Sequence, residues 1–205
     1  MNVNDVKPII LPDDPVTQAG YILDRQTLLE DHYWTIEKRP SPTVAVNSQV
    51  GQILIKDFLW RITEEVGESL EASLIGEPLE KIYEELADGL HFVAGLAVIT
   101  NMKDPFIKAW NETVMGPQPR GGITSQHTYL YDLIASLGIL GNTLKMKPWK
   151  QTQVLTDEVY FSQCLQNMIT CFLRFCIVCN LTHHQLLDYY HRKSEVNLFR
   201  IRSKY

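Results

Sequence analysis

Residues 60–91 decide the fold of this chain: WRITEEVGESLEASLIGEPLEKIYEELADGLH. Apolar residues recur at helical spacing over residues 52–75 and again over residues 79–99. Between the two segments, Gly76 is suited to end one helix and Pro78 to begin the next, since proline is tolerated in a first helical turn. The pattern predicts an antiparallel helical hairpin.

Four acidic residues of this hairpin are expected to lie close together. In an antiparallel hairpin, residues equally far from the turn lie side by side, so Glu68 faces Glu85 and Glu65 faces Asp88. The two acids of each helix are three residues apart and share a face. All four then lie about 13 to 17 Å from the turn, at 1.5 Å per residue.

Carboxylates this close repel one another unless cations lie between them. All-oxygen ligands, with no cysteine and no second histidine nearby, suit Mg²⁺ or Mn²⁺. The alternative is that the acids form a solvated helix surface, as single glutamates on helices usually do. The matched distances from the turn favour the metal site, because a solvated acid has no reason to lie between two helices.

A di-iron carboxylate bundle is a further alternative, because Asp88-x-x-His91 has the spacing of its ligand pair. Such bundles need the motif twice, and the second instance, Asp188-x-x-His191, lies far along the chain. We therefore interpret His91 as a packed residue beside the site.

The acidic motifs resemble those of a known superfamily. Glu64-Glu65-x-x-Glu68 followed by Glu85-x-x-Asp88 resembles the signature of the all-α nucleoside triphosphate pyrophosphohydrolases, the MazG and dimeric dUTPase superfamily. The continuation into Leu-His91-Phe is similar to the dimeric dUTPase branch in particular. Two later segments resemble the same branch: Gly141-Asn142-x-Leu-Lys145-x-Lys147-Pro-Trp-Lys150 and Tyr190-x-x-Lys193-x-x-x-Asn197-x-x-Arg200. The resemblance covers roughly residues 20–205.

The resemblance implies a homodimer that hydrolyses a deoxynucleoside triphosphate to the monophosphate and pyrophosphate, with dUTP as the first candidate and dCTP or a broader range next. Two or three Mg²⁺ ions, or Mn²⁺, would be held by four acids: Glu65, Glu68, Glu85 and Asp88. Glu65 and Glu68 count among the catalytic residues. Lys193 and Arg200 would join them by stabilising charge on the departing pyrophosphate.

Further substrate contacts are implied for polar residues outside the hairpin. Gln26 would contact the base, with a solvated helix position as its alternative, and Glu30 or Asp31 stands where the branch has a second amide. His91 is also among the residues implied to bind the substrate. Lys193, Asn197 and Arg200 share one helix face and would hold phosphates.

The basic cluster of Lys145, Lys147 and Lys150 ends a predicted helix, where the helix dipole favours cations. The resemblance makes Lys147 a triphosphate contact. Arg120, between glycines, is a candidate to close over the phosphates, with a solvated turn as its alternative.

The whole chain is expected to form one all-α domain over residues 1–205, a bundle of five or six helices built on the acidic hairpin. The periodicity predicts these helices: 18–34, 52–75, 79–99, 125–146, 156–181 and 183–202. Residues 1–16 are expected to be extended. The glycine- and proline-rich residues 101–124 are expected to form a mobile loop.

The composition excludes several classes of protein. A net charge of −5 argues against binding of duplex nucleic acid, which needs a basic surface. The N-terminus lacks a basic start with an apolar run, and the most apolar helix carries polar residues, so we expect a cytoplasmic protein without a membrane partner. A non-enzymatic helical interaction protein, whose acids only make it soluble, remains the alternative to an enzyme.

Overall fold

The protein is all-helical. The computed structural model describes residues 1–10, 12–39, 41–119, 122–147 and 154–203. Within these ranges there are seven α-helices and no strand, in this order: α1 (Pro15–Ile36), α2 (Gln49–Ile75), α3 (Leu79–Ile99), α4 (Lys103–Met115), α5 (Ile123–Thr143), α6 (Glu158–Val178) and α7 (His183–Ser203). The predicted extended N-terminus instead contains a short 3-10 helix, Val3–Asp5, and helix α1 begins inside it at Pro15.

Helices α2 and α3 are joined by Gly76-Glu77-Pro78 and pack against each other. Gly76 has φ 77° and ψ 29°, the left-handed conformation that ends a helix and that favours glycine. The N–H of Glu77 closes the turn by donating to the carbonyl of Ala72 at 2.9 Å. At the other end, the Ser48 hydroxyl caps α2 by accepting from the N–H of Gly51 at 2.9 Å.

The predicted mobile loop over residues 101–124 is wrong for Lys103–Met115, which forms α4. The glycines and prolines that suggested a loop lie mostly after this helix, and Pro105 sits in its first turn, where proline is tolerated. Phe106 and Trp110 are four residues apart on one face, and both are fully buried. This helix brings the total to seven instead of the five or six expected.

Helix α6 contributes much of the core and packs against α4 and α5. It is the one described helix long and apolar enough to cross a membrane by length and composition, and 56% of that segment is buried inside the protein. A buried core helix meets the same criterion, so this is weak evidence for a span. The cysteines of α6 and Cys179, which follows it directly, are free thiols. Burial raises the pKa of Cys179 to about 12 and that of Cys176 well above its usual value.

Replacing Trp110 by alanine should lower the free energy of unfolding by about 3 to 5 kcal/mol. The ring is fully buried, and its Nε1 donates to Gln18 Oε1 at 3.2 Å, which ties α4 to α1. Urea denaturation measures the effect, with Met115→Ala, an exposed position on the same helix, as the control. A Trp110 variant as stable as this control would show that α4 is not part of the core.

Candidate active site

Three carboxylates meet where α2 packs against α3. One oxygen each of Glu65, Glu68 and Glu85 lies within 4.8 Å of the other two. Glu85 is 5% exposed, Glu65 is partly buried, and Glu68 is exposed. The cluster therefore reaches from the helix interface to the surface, which gives an ion from solvent a path to it.

Asp88 lies one helical turn beyond Glu85 and takes part in a different contact. Its Oδ2 pairs with Lys193 Nζ of α7 at 2.5 Å. Glu85 in turn pairs with Lys81, one turn before it on α3. Two lysines thus supply positive charge to the four acids that the sequence predicts to lie together.

The charges of the acids act on one another strongly. Burial raises the pKa of Glu65 to about 8, and the charges of Asp88, Glu68 and Glu85 add to the shift. Burial also raises the pKa of Asp88, opposed by the charge of Lys193. Without a metal ion, Glu65 therefore holds a proton at neutral pH, and a divalent cation would compete for the same oxygens.

A cavity of about 300 Å³ extends from the acids to α1. Glu65 and Asp88 form what we call its acidic end, and Phe58 and Phe92 form its aromatic end. Phe58 is seven residues before Glu65 on α2, about 10 Å away at 1.5 Å per residue. The remaining lining residues are polar or charged: Gln26, Glu30, Tyr33, Glu37, Arg39, Asp57, Arg61, His91, Asn197 and Arg200.

The aromatic end contains the two α1 residues predicted to contact a base. Gln26 is 3% exposed, so the alternative of a solvated helix position is wrong. Its Nε2 donates to Glu30 Oε1 at 2.9 Å, and Glu30 Oε2 pairs with Arg39 Nη1 at 2.8 Å. Of the two acids considered at this place, Glu30 is the one in the cavity, while Asp31 is exposed.

His91 connects the aromatic end to the protein interior. Its Nδ1 lies 2.9 Å from Gln26 Oε1, and its ring stacks on that of Tyr190 with centroids 4.2 Å apart. Among the described residues, Nε2 has no hydrogen-bond partner. Burial lowers the pKa of His91 to about 3, assisted by the charges of Lys193 and Arg25 and opposed by the Tyr190 carbonyl, so the imidazole is neutral.

A glycine on α3 makes room for this end of the cavity. A Cβ atom on Gly95 would lie 2.5 Å from Phe58 Cε1 and 3.0 Å from Glu30 Oε1. Any larger residue would displace both side chains. The close approach of α3 to Phe58 and Glu30 therefore depends on Gly95.

Helix α7 brings its predicted residues to the site. Asn197 and Arg200 line the cavity, and Lys193 reaches Asp88. Lys147 does not lie at the site. Its neighbour Met146 bonds through its N–H to Gln52 Oε1, and Gln52 precedes Glu65 by thirteen residues on α2, about 20 Å.

The contact of Lys147 with a triphosphate thus stays a prediction, because within one chain Lys147 lies near Lys56 and not near the acids. Arg120 and Lys150 lie outside the described residues.

Sequence reasoning missed two arginines of the cavity, Arg39 and Arg61. Arg39 stands over the Phe58 ring at 5.8 Å from the ring centroid, and Arg61 stands over the Phe92 ring at 5.6 Å. Arg39 belongs to a segment with prolines and no periodicity, so no pattern indicated it.

These features define an all-helical protein with a carboxylate cluster at one end of a polar cavity. The family model for dUTPase, in its dimeric form, matches residues 73–205, and the chain therefore belongs to the dimeric dUTPase family. It is a dUTPase-like hydrolase that acts on nucleoside triphosphates. Searches of curated proteins and of solved structures found no match. The matched segment includes Glu85, Asp88 and α7, whereas α1 and the acids of α2 precede it.

The raised pKa of Glu65 predicts how the stability of the metal-free protein changes with pH. A carboxyl group with a folded pKa of about 8, above its usual value of 4.5, contributes stability below pH 4.5 that is lost as the pH rises through 8. Glu65→Gln removes this loss. The Tm of the variant in EDTA should therefore increasingly exceed that of the wild type between pH 5 and 9.

Glu64→Gln, the exposed neighbour, is the matched control and should follow the wild type at every pH. A difference between Glu65→Gln and wild type that does not change with pH would show that Glu65 ionises normally in the fold.

Proposed function

We propose that this protein is a Mg²⁺-dependent pyrophosphohydrolase that converts a deoxynucleoside triphosphate, dUTP first, to the monophosphate and pyrophosphate. The observation that carries the proposal is the meeting of Glu65, Glu68 and Glu85 within 4.8 Å beside a cavity of about 300 Å³. Membership of the dimeric dUTPase family supports the same reaction.

The donor set fits a hard divalent cation. Every candidate ligand is a carboxylate oxygen, and Mg²⁺ or Mn²⁺ prefers such oxygens together with water and phosphate. Two or three ions would be held by Glu65, Glu68, Glu85 and Asp88. When bound, such ions lower the pKa of a coordinated water and neutralise phosphate charge.

The protein's own cations are suited to bind the polyphosphate. Arg200 and Asn197 line the cavity, and Lys193 is already paired with Asp88. An arginine binds phosphate oxygens through charge-assisted hydrogen bonds, which are stronger than neutral ones. We propose that Lys193 and Arg200 stabilise the charge of the departing pyrophosphate and that Asn197 orients it.

The base would then occupy the aromatic end. Phe58 and Phe92 provide apolar surface there, and Gln26 and His91 provide polar atoms at its edge. A pyrimidine needs both, because its faces are apolar and its edge carries donors and acceptors. Glu30 is the observation that keeps dCTP or a broader range as the second candidate, since a carboxylate accepts from the amine of cytosine.

Asp88→Asn and Glu68→Gln should each abolish hydrolysis while the fold survives. For Glu68→Gln, removing one charge from a repulsive cluster should leave the metal-free Tm equal or higher, whereas Asp88→Asn also breaks the pair with Lys193 and should lower it. Turnover is measured as pyrophosphate release at saturating Mg²⁺, and Glu71→Gln, an exposed acid on α2, is the control. Near wild-type turnover in either variant would disprove the metal-site assignment.

The same preparations distinguish an enzyme from a helical interaction protein. Mg²⁺ with a non-hydrolysable deoxynucleotide should raise the Tm of the wild type, because a ligand that binds the native state stabilises it. The raised Tm should be lost in Asp88→Asn. A wild-type Tm that no common nucleotide changes would favour the non-enzymatic alternative.

We further propose that the protein is a homodimer and that residues 1–205 fold as one domain. Support comes from a groove of about 320 Å³ between α2 and α5, where Trp60 is 61% exposed and Ile134 is 44% exposed. Large exposed apolar side chains grouped in one region are typical of protein interfaces. A cytoplasmic location stays a prediction.

Trp60→Glu should convert the dimer to a monomer, because a charge in an apolar interface loses its hydration without gaining a partner. Light scattering after size-exclusion chromatography measures the mass. Leu74→Glu, an equally drastic change at an exposed position by the α2–α3 turn, should leave the mass unchanged. A monomeric wild type would disprove the dimer.

A further inference from the structure

Lys81 is a lysine beside the acids that neither acidic motif includes. It lies one helical turn before Glu85 on α3, and its ammonium pairs with the Glu85 carboxylate. The side chain of Lys81 is 50% exposed and that of Glu85 is 7% exposed, so the ammonium reaches from the surface to a buried oxygen. A positive charge therefore already lies against a carboxylate that is proposed to hold Mg²⁺.

The stability of α3 does not account for this lysine. Lys81 is the third residue of a helix that begins at Leu79, and the positive end of the helix dipole disfavours a cation there. A lysine four residues before a glutamate is also the less favourable order of such a pair on a helix. A partly exposed ion pair contributes little to stability in any case. Helix stability therefore does not explain a positive charge at this position, whereas a role in the site does.

Lys81 lies on the same face of α3 as the acids and the aromatic end of the cavity. Lys81, Glu85, Asp88 and Phe92 are spaced by four, three and four residues, so they follow one side of the helix. At 1.5 Å per residue, Phe92 is about 6 Å from Asp88 and about 16 to 17 Å from Lys81 along the helix axis. A nucleotide whose base lies at Phe92 and whose phosphates pass the acids therefore ends on the side of Lys81.

The two lysines of the site differ in their freedom to move. The side chain of Lys193 is 14% exposed and lies between α7 and α3, where it pairs with Asp88 at 2.5 Å. Lys81 and Glu85 belong to the same helix, and half of the Lys81 side chain is exposed to solvent. Its ammonium, on a flexible stem of four carbons, can leave Glu85 without the movement of any helix. Lys81 can therefore exchange one anionic partner for another.

We propose that Lys81 is a further substrate-binding residue, whose ammonium neutralises Glu85 in the metal-free protein and binds the terminal phosphate of the nucleotide once a divalent cation has taken its place on that carboxylate. The inference rests on the proposed function, because it requires a cation on Glu85 and phosphates beside it. A lysine suits this exchange, since an ammonium is a point charge with three N–H donors that rotate freely. The same charge thus serves the acid first and the substrate afterwards.

Affinity for Mn²⁺ tests the role of Lys81 on Glu85 without any substrate. Because Lys81 competes with a divalent cation for this carboxylate, Lys81→Gln should bind Mn²⁺ about fivefold more tightly than the wild type at low salt, the effect of removing one screened ion pair. Free Mn²⁺ is measured by electron paramagnetic resonance. Lys81→Arg keeps the charge and should bind Mn²⁺ as the wild type does. Lys108→Gln, at an exposed lysine of α4, is the control for net charge and should not alter the affinity.

Affinity for pyrophosphate, the product that contains the terminal phosphate, tests the role of Lys81 on the substrate. In saturating Mn²⁺, calorimetry should show that Lys81→Gln binds pyrophosphate about tenfold more weakly than the wild type, the effect of one lost charge-assisted hydrogen bond. Binding of dUMP, which lacks the terminal phosphate, should not change. With dUTP at saturating Mg²⁺, the loss should appear mainly in KM and less in kcat. Lys81→Arg should retain most of the affinity for pyrophosphate.

The opposite signs of these two effects separate the proposed role of Lys81 from a general defect. A damaged fold would weaken the binding of Mn²⁺ and of pyrophosphate together, and its Tm in EDTA would reveal the damage. Lys81→Ala provides the same comparison if the glutamine variant does not fold. In a folded variant, Mn²⁺ binding that is unchanged or weaker would overturn the proposal, and so would unchanged binding of pyrophosphate.

The outcomes also separate the role of Lys81 from the proposed function. If the wild type binds Mn²⁺ and pyrophosphate but hydrolyses no nucleotide, the proposed function fails, and the two shifts still decide the role of Lys81. If the wild type hydrolyses dUTP and Lys81→Gln changes neither affinity, the role of Lys81 is refuted and the proposed function stands.

Discussion

The carboxylates at the contact between α2 and α3 repel one another, and the surrounding packing and ion pairs compensate for that repulsion. Burial raises the pKa of Glu65 to about 8 and the neighbouring like charges add to the shift, so the two helices carry an electrostatic penalty where they pack. Apolar residues on both sides of the acids, such as Ile62 and Leu86, are fully buried and hold the helices together. Lys193 offsets part of the remaining charge.

The same burial of charged groups explains why the cavity has two chemically different ends. At the acidic end Lys193 offsets only part of the negative charge, and Glu68 nearby is left exposed where an ion can enter. The aromatic end is satisfied internally, because Glu30 is paired with Arg39 and bonded to Gln26. A buried ion pair adds little stability compared with apolar packing, but it fixes directions of hydrogen bonds. Burial of charge at the aromatic end therefore fixes the orientation of side chains, and at the acidic end it supports the proposed binding of cations.

The sequence predicted those parts of the structure that depend on neighbouring residues. The apolar periodicity predicted the helices on both sides of Gly76. The spacing of the acids predicted that they share a face, because residues three apart on a helix lie on the same side. The periodicity did not predict α4, because the glycines and prolines after Met115 indicated a loop although Phe106 and Trp110 have helical spacing. It also could not indicate Arg39, because the contact with Glu30 depends on how the segment after α1 folds back, and no local pattern records that.

The residues that line the cavity come from two parts of the chain, and the family model covers only one of them. The family match spans residues 73–205, which hold Glu85, Asp88 and the α7 residues suited to phosphate. Gln26, Glu30 and Arg39 at the aromatic end lie before this segment, on α1 and the residues that follow it. His91, which contacts Gln26, lies inside the matched segment, on α3 one turn beyond Asp88. Changes in α1 can therefore alter the aromatic end of the cavity while the acids and cations proposed to act on the phosphates stay in place.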